Sequence, residues 1–220
     1  MKATVALACA ALVGVVASAA GQPPRNPSVC ASRRLLPVDE AVTQPEFFTF
    51  RARLQSAIAR RDEAAVLAAA DPGIRTSFGP DDGFDAFRAA LREPAGAAWA
   101  ELGAVLALGG AFRSPGSFEA PYVFARWPDG LDSFECAAVI GDRVRLRASA
   151  AADSAVVGSA SFDIVQVLPE QRATTAVRVR TGSGVTGFIA APFVRSPVDH
   201  RAIFQRVAGQ WRLAAFVAGD

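Results

Sequence analysis

Lysine is almost missing from this chain. Lys2 is the only one, so 22 of the 23 basic residues are arginine, set against 21 acidic residues. The formal net charge of +2 excludes a strong basic field for nucleic acid, and equally an acidic surface. Histidine occurs once, as His200. A metal site normally recruits several His, Cys or carboxylate ligands at short spacing, so no metal and no cofactor are expected. G-x-S-x-G, a P-loop and H-E-x-x-H are all absent. No catalytic constellation is visible, and the chain does not read as an enzyme. Long apolar runs are missing beyond the N-terminus. Residues 95–112 are apolar but broken by Gly96, Gly103, Gly109, Gly110 and Glu101. No integral membrane segment is expected there, since a span needs about 20 apolar residues.

What is present begins with an export pattern. Met1-Lys2 forms a short positive head, Ala3 to Val16 is apolar and uncharged, and Ala17-Ser18-Ala19 offers small residues to a signal peptidase. Residues 1–20 therefore read as a cleavable signal peptide, cut near Ala19 or Ala20, which predicts a periplasmic or secreted protein. Cleavage would remove Cys9 and leave Cys30 and Cys136. In an oxidising compartment that pair predicts a disulfide, with two buried thiols as the alternative.

Along the rest of the chain the texture changes once. Residues 21–45 hold Pro23, Pro24, Pro27, Pro37 and Pro45 and read as an extended leader, not a packed element. Residues 46–132 read as mainly helical. Phe47, Phe50, Leu54, Ala57 and Ile58 share one helical face. Asp62 caps a second helix that Asp71-Pro72-Gly73 stops, and Asp82-Gly83 caps a third through Leu91. Ala97 to Leu108 completes the helical part. Ile74 to Phe78 and Tyr122 to Trp127 read as strands, and Cys136 onward as short strands separated by turns. Residues 197–220 read as a β-hairpin around Ala208-Gly209. An isolated hairpin is marginal in water, so this one is expected to pack on the N-terminal region near Ile74 to Phe78 or Phe118 to Trp127. The expected class is α+β: a helical N-terminal region, a small β-barrel and a C-terminal hairpin.

Within residues 136–196 the motifs have a family likeness. Gly141-Asp142-Arg143-Val144-Arg145-Leu146-Arg147 is followed by Ala155-Val156-Val157-Gly158 and Phe162-Asp163-Ile164-Val165-Gln166-Val167. Val177-Arg178-Val179, then Thr186-Gly187-Phe188-Ile189-Ala190 and Phe193-Val194, close the pattern. In this order and spacing the segment resembles the bacterial SH3 (SH3b) domain. It departs from that pattern where Ala150 and Ala151 replace a proline, where Thr174 replaces an aromatic, and where Phe188 replaces a tryptophan. The resemblance implies an SH3-like barrel and recognition of a cell-wall (peptidoglycan) peptide or an envelope protein segment in a shallow groove. The residues expected to line that groove are Arg147, Phe162, Arg178 and Phe188.

Other patterns carry competing chemistry. Gly182 to Gly187 matches G-x-G-x-x-G, but a strand ended by Pro192 follows where the dinucleotide motif needs a helix, so it reads as a hairpin loop. Cys136 with His200 could form a thiol hydrolase pair, although Cys136 sits in a strand and not at a helix N-terminus. Asp81-Asp82-Gly83-Phe84-Asp85 lacks the spacing and closing Glu of a calcium loop. Arg143, Arg145, Arg147, Arg178 and Arg180 would share the solvent face of the barrel, either as a solvated face or as a seat for a carboxylate-bearing ligand. The expected function is non-catalytic binding. A structural role in envelope assembly, with no ligand groove, is the alternative, and a hydrolase with a site in the helical half is a further one.

Overall fold

The computed structural model describes Cys30 and residues 33–173 and 175–219. The expected signal peptide lies outside the described residues. Within them the chain is α+β, with five α-helices and twelve strands arranged in two sheets. No helix among the described residues is long and apolar enough to cross a membrane.

Helices α1 (Pro45–Ala59), α2 (Glu63–Ala69), α3 (Phe84–Arg92) and α4 (Ala97–Ala107) come first. Pro45 starts α1 at a position where its missing N–H costs nothing, and the Asp62 side chain accepts from Ala65 N at 3.0 Å to cap α2. Strands β1 (Ala70–Arg75), β2 (Ala111–Ser114) and β3 (Ser117–Ala120) join the last two strands, β11 (Arg201–Val207) and β12 (Gln210–Val217), in one sheet of order β1-β12-β11-β3-β2. The C-terminal hairpin thus fills the middle of a sheet whose other strands come from the first half. Ala202, Phe204 and Gln205 pair with Ala120, Phe118 and Ser117, and β12 runs parallel to β1. The hairpin turns on Ala208 and Gly209, both at positive φ, which a two-residue turn of this kind requires. Phe47 of α1 anchors the packing, with its ring 4.3 Å from Phe118, 4.8 Å from Trp211 and 5.4 Å from Phe204. All these rings leave water, and fully burying one contributes roughly 1.5–3 kcal/mol before entropy.

Between β3 and β11 lies a second sheet built from β4 (Cys136–Val139), β5 (Val144–Arg147), β6 (Val156–Ala160), β7 (Ile164–Ala173), β8 (Ala176–Arg180), β9 (Thr186–Ala190) and β10 (Val194–Arg195). Its order is β10-β4-β7-β8-β9-β5-β6. Val139, Val144, Leu146, Val165, Val179 and Ile189 form its core. Ala160 of β6 and Val194 of β10 both reach that core, so the two ends of the sheet bend toward each other. The expected closed barrel is not formed as a continuous ladder. The two-residue β10 and the β6 edge stay unjoined in the strand order, leaving a strongly curved open sheet.

Several local expectations need correction. Tyr122–Ala125 forms a fifth helix, α5, and not a strand, because Pro121 stands immediately before its first residue and turns the chain out of β3. The first strand starts at Ala70, earlier than Ile74. Pro72 is tolerated inside it because β1 is an edge of its sheet. No side chain caps α3: Asp82 turns back to accept from Thr76 N at 2.6 Å and Ser77 N at 3.1 Å. The leader is packed from residue 33 onward. Leu35 N donates to Phe162 O at 2.8 Å, Glu40 N donates to Gly110 O at 2.9 Å, and Leu35 and Ala41 are buried. This strap touches both sheets' territories, and Cys30 is bonded to Cys136 at the start of β4.

Candidate ligand groove

The seven-stranded sheet presents a groove of about 610 Å³. Strand β5 supplies one wall. Val144 and Leu146 are buried in the core, so the alternation of a strand turns Arg145 and Arg147 outward together. Strand β9, the hydrogen-bonded neighbour of β5, continues that wall and brings Phe188 close beside Arg147. Gly187 permits that approach: a Cβ there would lie 3.0 Å from Arg147 O and 3.1 Å from Val157 Cγ2. Phe193, from the 3-10 turn Ala191–Phe193, closes one end and is 46% exposed. Ala150 and Thr175 line the remainder with the loop after β5.

Arg147, Phe188 and Arg178 stand in one cross-strand row. Arg147 is the register partner of Phe188, and Phe188 is that of Arg178, so the ring lies between two arginines on the same face. Arg147 is held in place by donating from Nη1 to Ser154 O at 2.6 Å. Arg178 belongs to the row but stands outside the groove lining. Phe162 is elsewhere. It sits in a left-handed turn (φ 56°) whose backbone is taken by Gly141 and Leu35, so it serves the strap contact and not the groove. Three of the four residues singled out from the motifs are therefore neighbours and one is not. Phe193 also lines the groove, and its place beside Val194 in the closing pair is the only hint of that in the sequence.

At one end of the groove the charge is balanced. Asp142 accepts from the Ser161 hydroxyl at 2.7 Å and pairs with Arg143 at 3.3 Å, and these contacts hold its carboxyl below the usual range. Arg180 reaches Gln166 at 3.3 Å. Arg145 is exposed and its side chain, alone among Arg143, Arg145, Arg147, Arg178 and Arg180, takes no hydrogen-bond or ionic partner among the described residues.

The competing motifs resolve into structure. Gly182 to Gly187 joins antiparallel β8 and β9, with Gly184 N donating to Thr181 O at 2.9 Å and no helix following. Cys136 is consumed in the bond to Cys30 and offers no thiol. His200 stacks on Phe216 with ring centroids 4.9 Å apart, and burial there lowers its pKa. Among the described residues no group of three or more His, Cys, Asp or Glu could hold a metal ion. The loop around Asp82 is a hydrogen-bonded turn, and its Thr76 contact draws the carboxyl down to about 2.

No protein-family model matches the chain, and a search of curated proteins found no match.

Proposed function

We propose that this chain is an exported, non-catalytic binding protein. Its SH3b-like module would take a peptide ligand in the groove over β5 and β9, from the cell wall or from an envelope protein. The observation that carries this reading is the outward row of Arg147, Phe188 and Arg178 beside a groove that also holds Arg145 and Phe193. Guanidinium groups pair with carboxylates, and flat rings supply apolar contact at low entropic cost. The strap and the Arg195–Glu101 ion pair at 2.6 Å tie the module to the helical half. The groove itself retains exposed Phe193 and Arg145, as a binding role requires and a purely architectural one does not.

The test is capture of the protein on purified sacculi and on envelope lysate, with Arg147→Ala/Phe188→Ala in parallel. Retention of the parent and loss of the double variant supports the reading. Equal retention of both, or none of either, opposes it. Export is checked separately: protein recovered outside the cytoplasm should begin at Ala20 or Gly21, and an intact Met1 end would contradict cleavage.

A further inference from the structure

We infer that the groove's ligand is an extended acidic polypeptide segment with carboxylates on alternate residues, lying along β5 with one carboxylate at Arg145 and the next at Arg147. This rests on the binding reading above and narrows it. Arg145 and Arg147 stand two residues apart on one face of β5, about 7 Å along an extended strand, and the irregularity in the ladder beside them is taken up by Val157 of β6, since Leu146 pairs with Gly158 and Arg147 with Val156. Side chains at alternate positions of an extended peptide repeat at that same distance, so two carboxylates of such a peptide meet two guanidiniums without strain. Both arginines line the groove. The Arg145 side chain has no partner among the described residues, and Arg147 spends one amine on Ser154 O and keeps its other donors. Arg143 precedes β5 at a positive φ (49°), out of step with the strand, and pairs with Asp142 at 3.3 Å, so a third carboxylate in the same repeat does not meet it. Phe188 and Phe193 offer apolar contact for the residues between and beyond the carboxylates.

The alternation makes the proposal specific. Adjacent carboxylates point to opposite sides of an extended chain, and only one of them could reach β5. A cell-wall stem peptide, with a different backbone spacing, is the competing occupant.

The experiment is fluorescence anisotropy with the purified, disulfide-bonded chain. The probes are a labelled peptide carrying Glu at two alternate positions in a Thr/Val background, the same peptide with the two Glu adjacent, the double-Gln peptide, and soluble muropeptides. The alternating peptide should bind about ten-fold tighter than the double-Gln peptide. The adjacent-Glu peptide should fall between them. Arg145→Gln and Arg147→Gln should each weaken the alternating peptide roughly five-fold, with less effect at high salt. Equal binding of the alternating and adjacent peptides overturns the inference, as does indifference to Arg145→Gln. Muropeptide binding that depends on Phe188, without acidic-peptide binding, overturns this inference and leaves the binding role standing. Failure of every probe, with no capture on sacculi or by envelope lysate, overturns both.

Discussion

Arg51, buried in α1, grips Asp39 of the leader with both terminal amines, at 2.7 and 2.6 Å. Asp39 also accepts from Ala41 N at 3.2 Å, so one carboxylate caps the 3-10 turn Glu40–Thr43 and fastens it to the helix. Asp39→Asn would leave a guanidinium buried without its counter-charge. That should cost about 2–3 kcal/mol, below the figure for a fully buried pair because Asp39 is 40% exposed. Arg51→Met should cost less, since it removes the charge together with its need. Urea unfolding of both variants makes the comparison. A larger loss in Arg51→Met would mean that packing of the long side chain, not the ion pair, holds the strap.

The bond between Cys30 and Cys136 closes a loop across a separation of 106 residues. In the chain-entropy account such a closure stabilises by at most about 4–5 kcal/mol. Cys30→Ser/Cys136→Ser should therefore unfold at lower denaturant, and reductant should shift the parent toward the variant. Identical midpoints for parent and variant would show that the other strap contacts suffice without the bond.

Phe204 tests the interleaved sheet. It lies fully buried on β11, against Phe47 and Phe118, although the whole seven-stranded sheet separates it from both along the chain. Phe204→Ala should destabilise by about 3–5 kcal/mol. Hydrogen exchange should quicken in α1 and β3 and not only in the hairpin. Protection lost solely from residues 201–217 would contradict a shared core.

Much of this arrangement was legible from residue patterns. The buried Val144 and Leu146, alternating with outward arginines, mark β5 and its faces directly. The apolar stripe of α1 marks its buried side. The strand that failed to register was β2, four residues long and parted from β3 only by Pro115-Gly116, too short for alternation to show; β3 is anticipated only through Phe118, at the head of the stretch expected to receive the hairpin. Tyr122-Val123-Phe124 has strand composition, and the tertiary setting overrides it: Tyr122 and Val123 bury their side chains in the cluster around the disulfide. The groove divides in the same way. Arg147, Phe188 and Arg178 sit on regular strands, whose faces a two-residue period predicts. Phe162 sits in a positive-φ turn, and no periodicity indicates where such a side chain goes.

Asp82 and His200 contribute to the acid response, together with Asp142, whose carboxyl is also lowered. The Asp82 carboxyl falls from 3.8 to about 2, chiefly through the Thr76 N–H. Its contribution is present above pH 3.8 and is lost as pH falls toward 2. His200 is lowered from 6.5 by burial, with Arg195 acting in the same direction and Glu101 and Asp199 opposing. Its neutral form is favoured in the fold, so that contribution is complete above pH 6.5 and declines as pH falls below it. Melting temperature followed against pH should show both declines. His200→Gln should flatten the upper one and Asp82→Asn the lower. An unchanged slope below pH 6.5 in His200→Gln would place the upper decline on another group.

The most direct test of the groove is a titration of isotope-labelled protein, followed by backbone amide shifts, with the alternating-Glu peptide and with soluble muropeptides. The account predicts saturable shifts at Arg145, Arg147, Phe188 and Ala190, with Phe204 and Leu213 unmoved. Shifts confined to the helical half, or none at the groove with a ligand the protein demonstrably captures, would contradict it.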